Sequence, residues 1–377
     1  AQTMADLIEY GETGRVFMLG GYPPAPGERV VQRDLADTLQ RIGREGRDAL
    51  YAGDVAHAID EEMTRHGGVL RAQDLAAYEA QVIEPVRTSY RGYQLLGSPV
   101  PAGTITQLQT LNILESFDLG AMAHNSPEYL HLFIEAARHA FADRYRFLGD
   151  PDFGPVPLDG MLSEAYAREI ASSIDHDRAA LEDERKLQPW AALYEKSERV
   201  PHDPWRYDPQ PRPQRSSAAS PPSSGDCTTH LSVIDKDRNM VSCTQTAVAG
   251  FGSRVMVPDT GILLTNGMVV FNPMPGTPNS IAGYKRGLNN MGPMLVLRDG
   301  RPFMSLGAPG GRRIMDRLTQ VLVNVIDQGM GIQEAITAPT VDAAERETFI
   351  DHRIEEATVE ALGRMGHNVE VVLDPAT

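Results

Sequence analysis

Two adjacent threonines, Thr228 and Thr229, stand where a proline- and serine-rich tract gives way to an alternating strand pattern at Leu231–Asp235. An N-terminal threonine combines a hydroxyl nucleophile with an α-amine of near-neutral pKa that can serve as its base. A precursor that cuts its own chain creates such a residue, which makes the Cys227–Thr228 bond a candidate self-cleavage site. The dipeptide alone favours an ordinary strand start, because threonine is common in strands.

A glycine pair, Gly310–Gly311, is the second candidate for chemistry. It precedes a helical pattern, and free N–H groups gather at a strand-to-helix turn. Without a side chain to obstruct a close approach, such a turn suits an oxyanion hole. A tight turn before the helix is the alternative, and the two are compatible. Strand alternation puts His230 on the opposite face from Thr229, and we interpret His230 as structural.

The elements that must position these residues follow from periodicity and turn residues. Before Thr228 the pattern is mostly helical. We predict a helix through Leu35, Leu39 and Ile42, and a second helix that Asp54 caps. A third helix covers Thr104–Phe117 with one apolar face, and a fourth opens at Ser126–Pro127–Glu128. Between the second and third helices we predict a strand pair over Val86–Leu96 that turns at Arg91–Gly92. After Thr228 we predict a hairpin of Thr229–Asp235 with Met240–Thr246, a hairpin of Met294–Arg298 with Phe303–Leu306 that turns at Asp299–Gly300, and a helix from Ile314 to Ile326.

Composition excludes several classes of function. The formal charge of −16 argues against a nucleic-acid surface, which would carry basic patches. No run of eighteen apolar residues occurs, so we expect no membrane span. The two cysteines, Cys227 and Cys243, are too few for a disulfide framework and lack the spacing of metal ligands. We therefore expect neither a metal nor another cofactor.

The tract from Pro201 to Asp226 has seven prolines and five serines, with Trp205 and Tyr207 as its large apolar residues. Such a segment buries too little surface to offset its ordering entropy, so we expect it to be mobile or extended. It would act as a tether that detaches after cleavage. A simple interdomain linker is an equal interpretation of its composition.

Ordered sequence blocks along nearly the whole chain resemble the gamma-glutamyltranspeptidase family of N-terminal nucleophile hydrolases. The blocks are Gly68–Leu70, Asp74–Tyr78, Tyr90–Tyr93, Ala142–Tyr145, Leu148–Phe153, Thr228–Asn239, Gly261–Met268 and Gly307–Ile314. The resemblance implies a four-layer αββα sandwich of mixed α and β structure. It also implies a large-subunit segment at 1–200, a linker at 201–227 that ends at the cleavage site, and a small catalytic subunit at 228–377.

The resemblance further implies roles for individual residues. Thr228 becomes the nucleophile after cleavage behind Cys227, and Thr246 hydrogen-bonds to it and orients it. Gly310 and Gly311 form the oxyanion hole. The implied enzyme cleaves γ-glutamyl amides such as glutathione through an acyl-enzyme, and transfers the acyl group to water or to an amine or peptide acceptor.

Residues expected to bind the acyl group depart from the family pattern. The aspartate that pairs with the substrate ammonium is Val270 here, an asparagine two positions after Thr246 is Val248, and a glutamine is Gly267. A serine pair is replaced by Asn289–Asn290, which with Asn266 remain our candidates for substrate binding. A cephalosporin-acylase-like enzyme for a non-amino acyl group is therefore the close alternative. A non-catalytic binding scaffold is a third possibility, against which the retained threonines and glycines argue.

The resemblance places the first residue well inside the large subunit, and the last before the family's final strands. We therefore expect a fragment or truncated product. The first residues show no charged segment followed by an apolar stretch, but in a fragment this says nothing about localisation, which we leave open.

Overall fold

The segments with helical periodicity form helices and those with alternating periodicity form strands, which gives a mixed α/β structure. A computed structural model describes residues 7–180, 203–208, 226–345 and 347–373. The α-helices are α1 Gly11–Phe17, α2 Arg33–Glu45, α3 Asp48–Tyr51, α4 Asp54–Arg65, α5 Ala72–Ala76, α6 Thr104–Leu114, α7 Pro127–Phe147, α8 Leu158–Met161, α9 Glu164–Ser173, α10 Arg313–Ile326, α11 Ile332–Thr337 and α12 Glu356–Arg364. The strands are β1 Val86–Tyr90, β2 Tyr93–Gly97, β3 Asp226–Ile234, β4 Met240–Ala249, β5 Met256–Val257, β6 Ile262–Leu263, β7 Met294–Arg298, β8 Arg301–Leu306, β9 Val341–Asp342, β10 Thr348–Asp351 and β11 Val369–Val372. Across the described residues, no helix combines the length and apolar character that a membrane span requires.

The described residues divide into two compact units. Unit one contains residues 7–83, 226–227 and 246–267. Unit two contains residues 84–180, 203–208, 228–245, 268–345 and 347–373. Cys227 and Thr246 therefore belong to unit one, whereas Thr228 belongs to unit two.

Unit one is built from helices α1 to α5 and the short antiparallel pair of β5 with β6. Val55 and Ile59 of α4 pack with Val257 of β5 in its small core. The predicted cap of α4 is wrong by one residue, since Gly53 is the N-cap and Asp54 is the first helical residue. No side chain bonds at this cap, so the Asp54 charge stabilises the helix only by lying near the positive end of its dipole.

The main sheet of unit two has the order β1-β2-β7-β8 and is antiparallel throughout. Both predicted hairpins of this sheet are confirmed. Arg91 and Gly92 turn one hairpin with φ of 50° and 81°, and Asp299 and Gly300 turn the other with φ of 52° and 69°. Positive φ at both central residues matches the twist of the strands, which is why Gly follows a tolerant residue in each turn.

Helix α6 differs from its prediction in length and in environment. It ends at Leu114 instead of Phe117, and all eleven of its residues are buried, including Gln107 and Gln109. The helix packs against α7, α9 and α10 and against strands β1 and β2, so no face is left for solvent. The predicted start of α7 is confirmed, because Ser126 accepts a hydrogen bond from the Tyr129 N–H at 3.3 Å.

Part of the proline- and serine-rich tract is ordered against unit two. Trp205 is only 8% exposed, and its ring meets the Phe147 ring edge-on at 6.3 Å. The expectation of a mobile tract is therefore wrong for residues 203–208, because a single large aromatic side chain buries enough surface to anchor a short segment. Residues 201–202 and 209–225 of the tract lie outside the described residues.

The predicted hairpin after the tract is confirmed as β3 with β4, and the predicted helix at 314–326 is confirmed as α10. The Asp235 carboxylate accepts hydrogen bonds from the Asp237 and Asn239 N–H groups and so closes the hairpin turn. Ser232 donates to the Ser305 carbonyl at 3.2 Å, and Ser242 donates to the Leu306 carbonyl at 2.8 Å. These bonds attach the hairpin to β8, which leads into Gly310–Gly311.

Candidate functional site

The Cys227–Thr228 peptide bond lies within strand β3, with Cys227 exposed and Thr228 half-buried. In unit one, the Thr246 hydroxyl donates to the Cys227 carbonyl oxygen at 3.0 Å. The same hydroxyl accepts from the Val248 N–H at 2.8 Å, so its orientation is set from both sides. A hydroxyl donor on a carbonyl oxygen polarises that carbonyl toward nucleophilic attack. The carbonyl concerned is that of the bond predicted to be cut.

Val248 holds a strained backbone conformation beside this hydroxyl. Its φ is 75°, in the left-handed region that a β-branched residue rarely adopts. Asparagine and glycine adopt it far more readily. The departure from the family's asparagine at this position is therefore visible in the backbone.

His230 makes structural contacts within unit two. Its Nδ1 lies 2.8 Å from the Thr244 hydroxyl and its Nε2 lies 3.0 Å from the Ser232 hydroxyl. Burial lowers the pKa of His230, which keeps the imidazole neutral. Its ring also fills the space beside Gly307, where an added Cβ would lie 2.2 Å from ring atoms. These contacts support the structural interpretation of His230 and hold the loop that leads to Gly310.

The glycine pair forms a turn that needs glycine at both positions. Gly310 has φ of 132° and Gly311 has φ of 57°, and both precede helix α10. Within the described residues neither N–H meets a hydrogen-bond acceptor, although Gly311 is buried. Gly310 is half-buried, and a buried N–H such as that of Gly311 is rarely left unpaired, so the turn is consistent with a site for a developing oxyanion. Arg312 supports the turn through the Tyr145 hydroxyl at 3.3 Å and Glu345 at 3.3 Å.

The structure separates the roles of Asn289 and Asn290. The Asn289 side chain donates to the Pro101 carbonyl at 2.8 Å and accepts from the Met291 N–H at 3.0 Å, so both ends of its amide serve the loop. The Asn290 side-chain oxygen accepts from Arg144 at 2.9 Å. Among the described residues the Asn290 NH₂ group meets no acceptor, whereas both ends of the Asn289 amide are bonded.

Arg144 is a residue of this region that the sequence reasoning did not single out, although it lies in the block Ala142–Tyr145. The side chain is 1% exposed, and its Nη2 also donates to the Asn289 carbonyl at 2.8 Å. Burial lowers the pKa of Arg144 to about 10, and the like charge of Arg312 acts in the same direction. Arg144 still carries its proton at neutral pH. The available signal was the helical spacing, which puts Arg144 one turn from Ala140, Phe141, Phe147 and Leu148 and hence on an apolar face.

The remaining candidates occupy short loops. In unit one, the Asn266 N–H donates to the Ala247 carbonyl at 3.0 Å. Val270, a residue of unit two, is the last residue of a short 3₁₀ helix. A Cβ built on Gly287 would lie 2.3 Å from Val270 Cγ2, so the valine side chain packs directly over this glycine. An apolar contact thus occupies the position at which the resemblance expects an aspartate.

Comparisons with known proteins agree on one family. The model of the family described as Gamma-glutamyltranspeptidase matches residues 1–376. An Acylase ACY 1 proenzyme of Pseudomonas sp. (strain SE83) is 38% identical over 365 residues, which are 97% of this chain and 59% of the relative. A Glutathione hydrolase proenzyme of Escherichia coli (strain K12) is 35% identical over 344 residues, which are 88% of this chain and 54% of the relative.

Among solved structures, a cephalosporin acylase from Bacillus halodurans is similar with a TM-score of 0.81 at 28% identity. The similarity covers 97% of this chain and 60% of that protein. It confirms the predicted fold class. The chain spans a little over half the length of the curated relatives it matches.

Proposed function

The chain belongs to the gamma-glutamyltranspeptidase family, and from that premise we propose that it forms a self-processing N-terminal threonine amidohydrolase or acyltransferase. The observation that carries the proposal is the hydrogen bond from the Thr246 hydroxyl to the Cys227 carbonyl oxygen at 3.0 Å. It activates a single peptide bond of a strand, the one whose cleavage would make Thr228 a new amino terminus.

Self-cleavage would begin with attack of the Thr228 hydroxyl oxygen on the Cys227 carbonyl carbon. The C–N bond of the peptide breaks, the hydroxyl proton passes to the departing nitrogen, and an ester joins Cys227 to the Thr228 oxygen. Water then hydrolyses the ester to a Cys227 carboxylate and a free Thr228 hydroxyl. Within this sequence the cut separates residues 1–227, a large-subunit segment with its linker, from residues 228–377, a segment of a small catalytic subunit.

In the mature enzyme the freed α-amine of Thr228 would take the proton of its own hydroxyl as that oxygen attacks the substrate amide. The N–H groups of Gly310 and Gly311 would stabilise the tetrahedral oxyanion, and each such donor contributes about 3 kcal/mol in comparable sites. The protonated α-amine gives that proton to the substrate nitrogen, the amide C–N bond breaks, and the departing amine leaves an ester-linked acyl-enzyme. Water or an amine or peptide acceptor then releases the acyl group.

The proposed substrates are γ-glutamyl amides such as glutathione, as the Glutathione hydrolase proenzyme relatives indicate. Amides of a non-amino acyl group are a second candidate because Val270 packs over Gly287 and supplies no carboxylate for an ammonium. The Acylase ACY 1 proenzyme relatives support this second candidate. A buried ammonium without a partner costs several kcal/mol. The absence of a carboxylate at Val270 therefore weighs against a γ-glutamyl group and in favour of a non-amino acyl group.

The test of the reaction is replacement of Thr228 in protein expressed from its complete gene. Thr228→Ala removes the nucleophile, so we expect one uncut polypeptide in denaturing electrophoresis and mass spectrometry. Thr228→Ser should cut slowly, because it keeps a hydroxyl. The matched control is Thr229→Ala, which changes the adjacent, exposed threonine and should cut at the wild-type rate. Normal cutting in Thr228→Ala contradicts the assignment.

A further inference from the structure

We infer that Asp316 and Asp342 form a buried carboxyl pair joined by one proton, and that this pair positions the Gly310–Gly311 turn. The inference rests on the proposed function, because it assigns a pH dependence to the oxyanion hole proposed above. Asp316 lies in the first turn of helix α10, directly after the glycine turn, and Asp342 lies in strand β9. Both residues are 2% exposed, so water does not screen their charges.

Helix α10 is joined to segment 341–344 by two side chains that lie one helical turn apart. The Gln320 amide donates to the Val341 carbonyl at 2.8 Å and accepts from the Val341 N–H at 2.9 Å. The Asp316 carboxyl accepts from the Ala343 N–H at 2.7 Å. Gln320 does not titrate, so its two bonds are kept at any pH. The acid pair lies at the other end of this contact, next to the glycine turn.

The geometry of the pair requires a proton between the two carboxyl groups. Asp342 Oδ1 accepts from the Ala344 N–H at 3.0 Å, whereas within the described residues its buried Oδ2 has no N–H donor in hydrogen-bonding geometry. The Asp316 side chain is hydrogen-bonded to that of Asp342. Two ionised carboxylates cannot form such a bond, because each only accepts. One of the two acids is therefore protonated and donates to the other.

The surrounding charges decide which acid keeps the proton. Burial raises the pKa of both acids, and the charge of Asp342 raises that of Asp316 further. Arg313 Nε lies 3.2 Å from Asp342 Oδ2 and favours the ionised form of that acid. The other charged groups that act on the pair are Arg138 of α7 on Asp316, and Arg312 and Glu345 on Asp342. Two arginines thus act on Asp342 and one on Asp316, so Asp342 carries the negative charge and Asp316 keeps the proton.

Loss of this proton would move the glycine turn. At alkaline pH Asp316 gives its proton to hydroxide in the solvent, and two anions then share one buried contact, where like charges repel strongly. Gln320 holds its end of the contact, so the first turn of α10 has to shift. The Gly310 and Gly311 carbonyls accept from N–H groups of that turn at 3.1 and 3.3 Å. The shift therefore reaches the proposed oxyanion donors.

The experiment is the pH profile of kcat for γ-glutamyl and glutaryl p-nitroanilide between about pH 6 and pH 10, a range that covers the pKa of a buried carboxyl. The enzyme is expressed from its complete gene. We expect the wild-type kcat to fall roughly tenfold toward alkaline pH as the oxyanion donors move, with KM little changed. Asp316→Asn keeps an acceptor for the Ala343 N–H and a donor for Asp342, and it cannot titrate. This variant should be active and should lack the alkaline decline.

A matched control is Asp143→Asn. Asp143 is also a buried acid, its pKa raised to about 6 by burial, but it accepts from Gln109 and Tyr166 and not from residues of α10. Its replacement should leave the alkaline decline of kcat in place. Asp342→Asn also leaves one acid of the pair and should abolish the decline, with a lower kcat at neutral pH because Arg313 loses its partner. If Asp316→Asn does not fold, Asp342→Asn carries the test.

Two further measurements detect the proton without activity. The infrared difference spectrum of wild type minus Asp316→Asn at neutral pH should show the carbonyl band of a protonated carboxyl. A raised pKa in the folded state also means that stability is lost as the pH rises through it. The free energy of unfolding of the wild type should therefore fall toward alkaline pH more steeply than that of Asp316→Asn.

The inference and the proposed function fail in different ways. A wild-type kcat without an alkaline decline, or the same decline in folded Asp316→Asn, overturns the inference and leaves self-cleavage at Thr228 as proposed. Absence of the infrared band also overturns it, because the pair would then hold no proton. Cutting in Thr228→Ala overturns the proposed function instead.

Discussion

The surroundings of the Cys227–Thr228 bond and the Asn289–Asn290 loop are held in different ways. Thr246 reaches the Cys227 carbonyl from a neighbouring strand of one hairpin, nineteen residues along the chain. The loop is held by Arg144, 146 residues before Asn290, and by Pro101, 188 residues before Asn289. The first region keeps the threonines to which the family resemblance assigns chemistry but has Val248 in place of an asparagine, and the second has asparagines in place of a serine pair. The first is held by a contact within one hairpin and the second by partners far along the chain, so the loop can be changed without touching the hydrogen bond between Thr246 and Cys227.

The largest effect should come from the glycine turn of unit two, Gly310–Gly311, which we propose as the oxyanion hole. Gly311→Val forces a β-branched side chain onto a residue with φ of 57° and displaces an oxyanion donor, so turnover should fall at least roughly a hundredfold. Steady-state kinetics on any accepted anilide measures it. Gly300→Val is the matched control, since Gly300 has φ of 69° in a hairpin turn with open space where a Cβ would lie. Equal rates in the two variants would show that the glycine pair is only a turn.

The second-largest effect should come from removing the Thr246 hydroxyl, which donates to the Cys227 carbonyl oxygen. Thr246→Ala should slow self-cleavage about ten- to a hundredfold, because it removes the donor that polarises the carbonyl. Thr246→Ser keeps the donor and should cut at nearly the wild-type rate. The time course of the two polypeptides that appear in denaturing electrophoresis of the protein expressed from its complete gene gives the rate. An alanine variant as fast as the serine variant would remove the observation on which the proposed function stands.

A smaller effect should follow from placing an aspartate at position 270, where the family pattern has one. Val270→Asp supplies a carboxylate for a substrate ammonium, so the γ-glutamyl-to-glutaryl ratio of kcat/KM should rise roughly tenfold. Val270→Asn is nearly isosteric with aspartate and should not raise it. In the wild type the two anilides should be used at similar rates. A strong wild-type preference for γ-glutamyl would mean that another acid binds the ammonium.

The smallest effect concerns stability. Val248→Asn replaces a β-branched residue at φ of 75° with one that tolerates this conformation, so the free energy of unfolding should rise by about 1 kcal/mol. Urea denaturation measures the change. Val248→Ala should raise the free energy of unfolding by less, because alanine removes the β-branching but keeps the Cβ that disfavours a positive φ. An unchanged free energy of unfolding in Val248→Asn would show that packing of the valine side chain compensates the backbone strain at position 248.

Local sequence signals determined much of the fold. The pairs Arg91–Gly92 and Asp299–Gly300 predicted both hairpin turns, and Ser126 predicted the start of α7. Each depends on two to four consecutive residues whose backbone preferences are intrinsic. Prediction failed where the surrounding elements decide how much of a helix is buried. The periodicity of α6 indicated a single apolar face, but all sides of the helix are buried.

By itself the sequence determined the family, the threonine at the candidate cleavage site and the glycine turn, because these are patterns of residue type and order. Only the tertiary structure decided that the Asn289 side chain bonds to Pro101 while that of Asn290 bonds to Arg144, since both residues have the same chemistry and adjacent positions. It also decided that Trp205 anchors part of a polar tract and that Arg144 is buried with no acid partner in the part of the chain that the structure describes. The physical reason is common to all three. Burial and hydrogen-bond partners are supplied by residues far away along the chain, and no local pattern records which ones will meet.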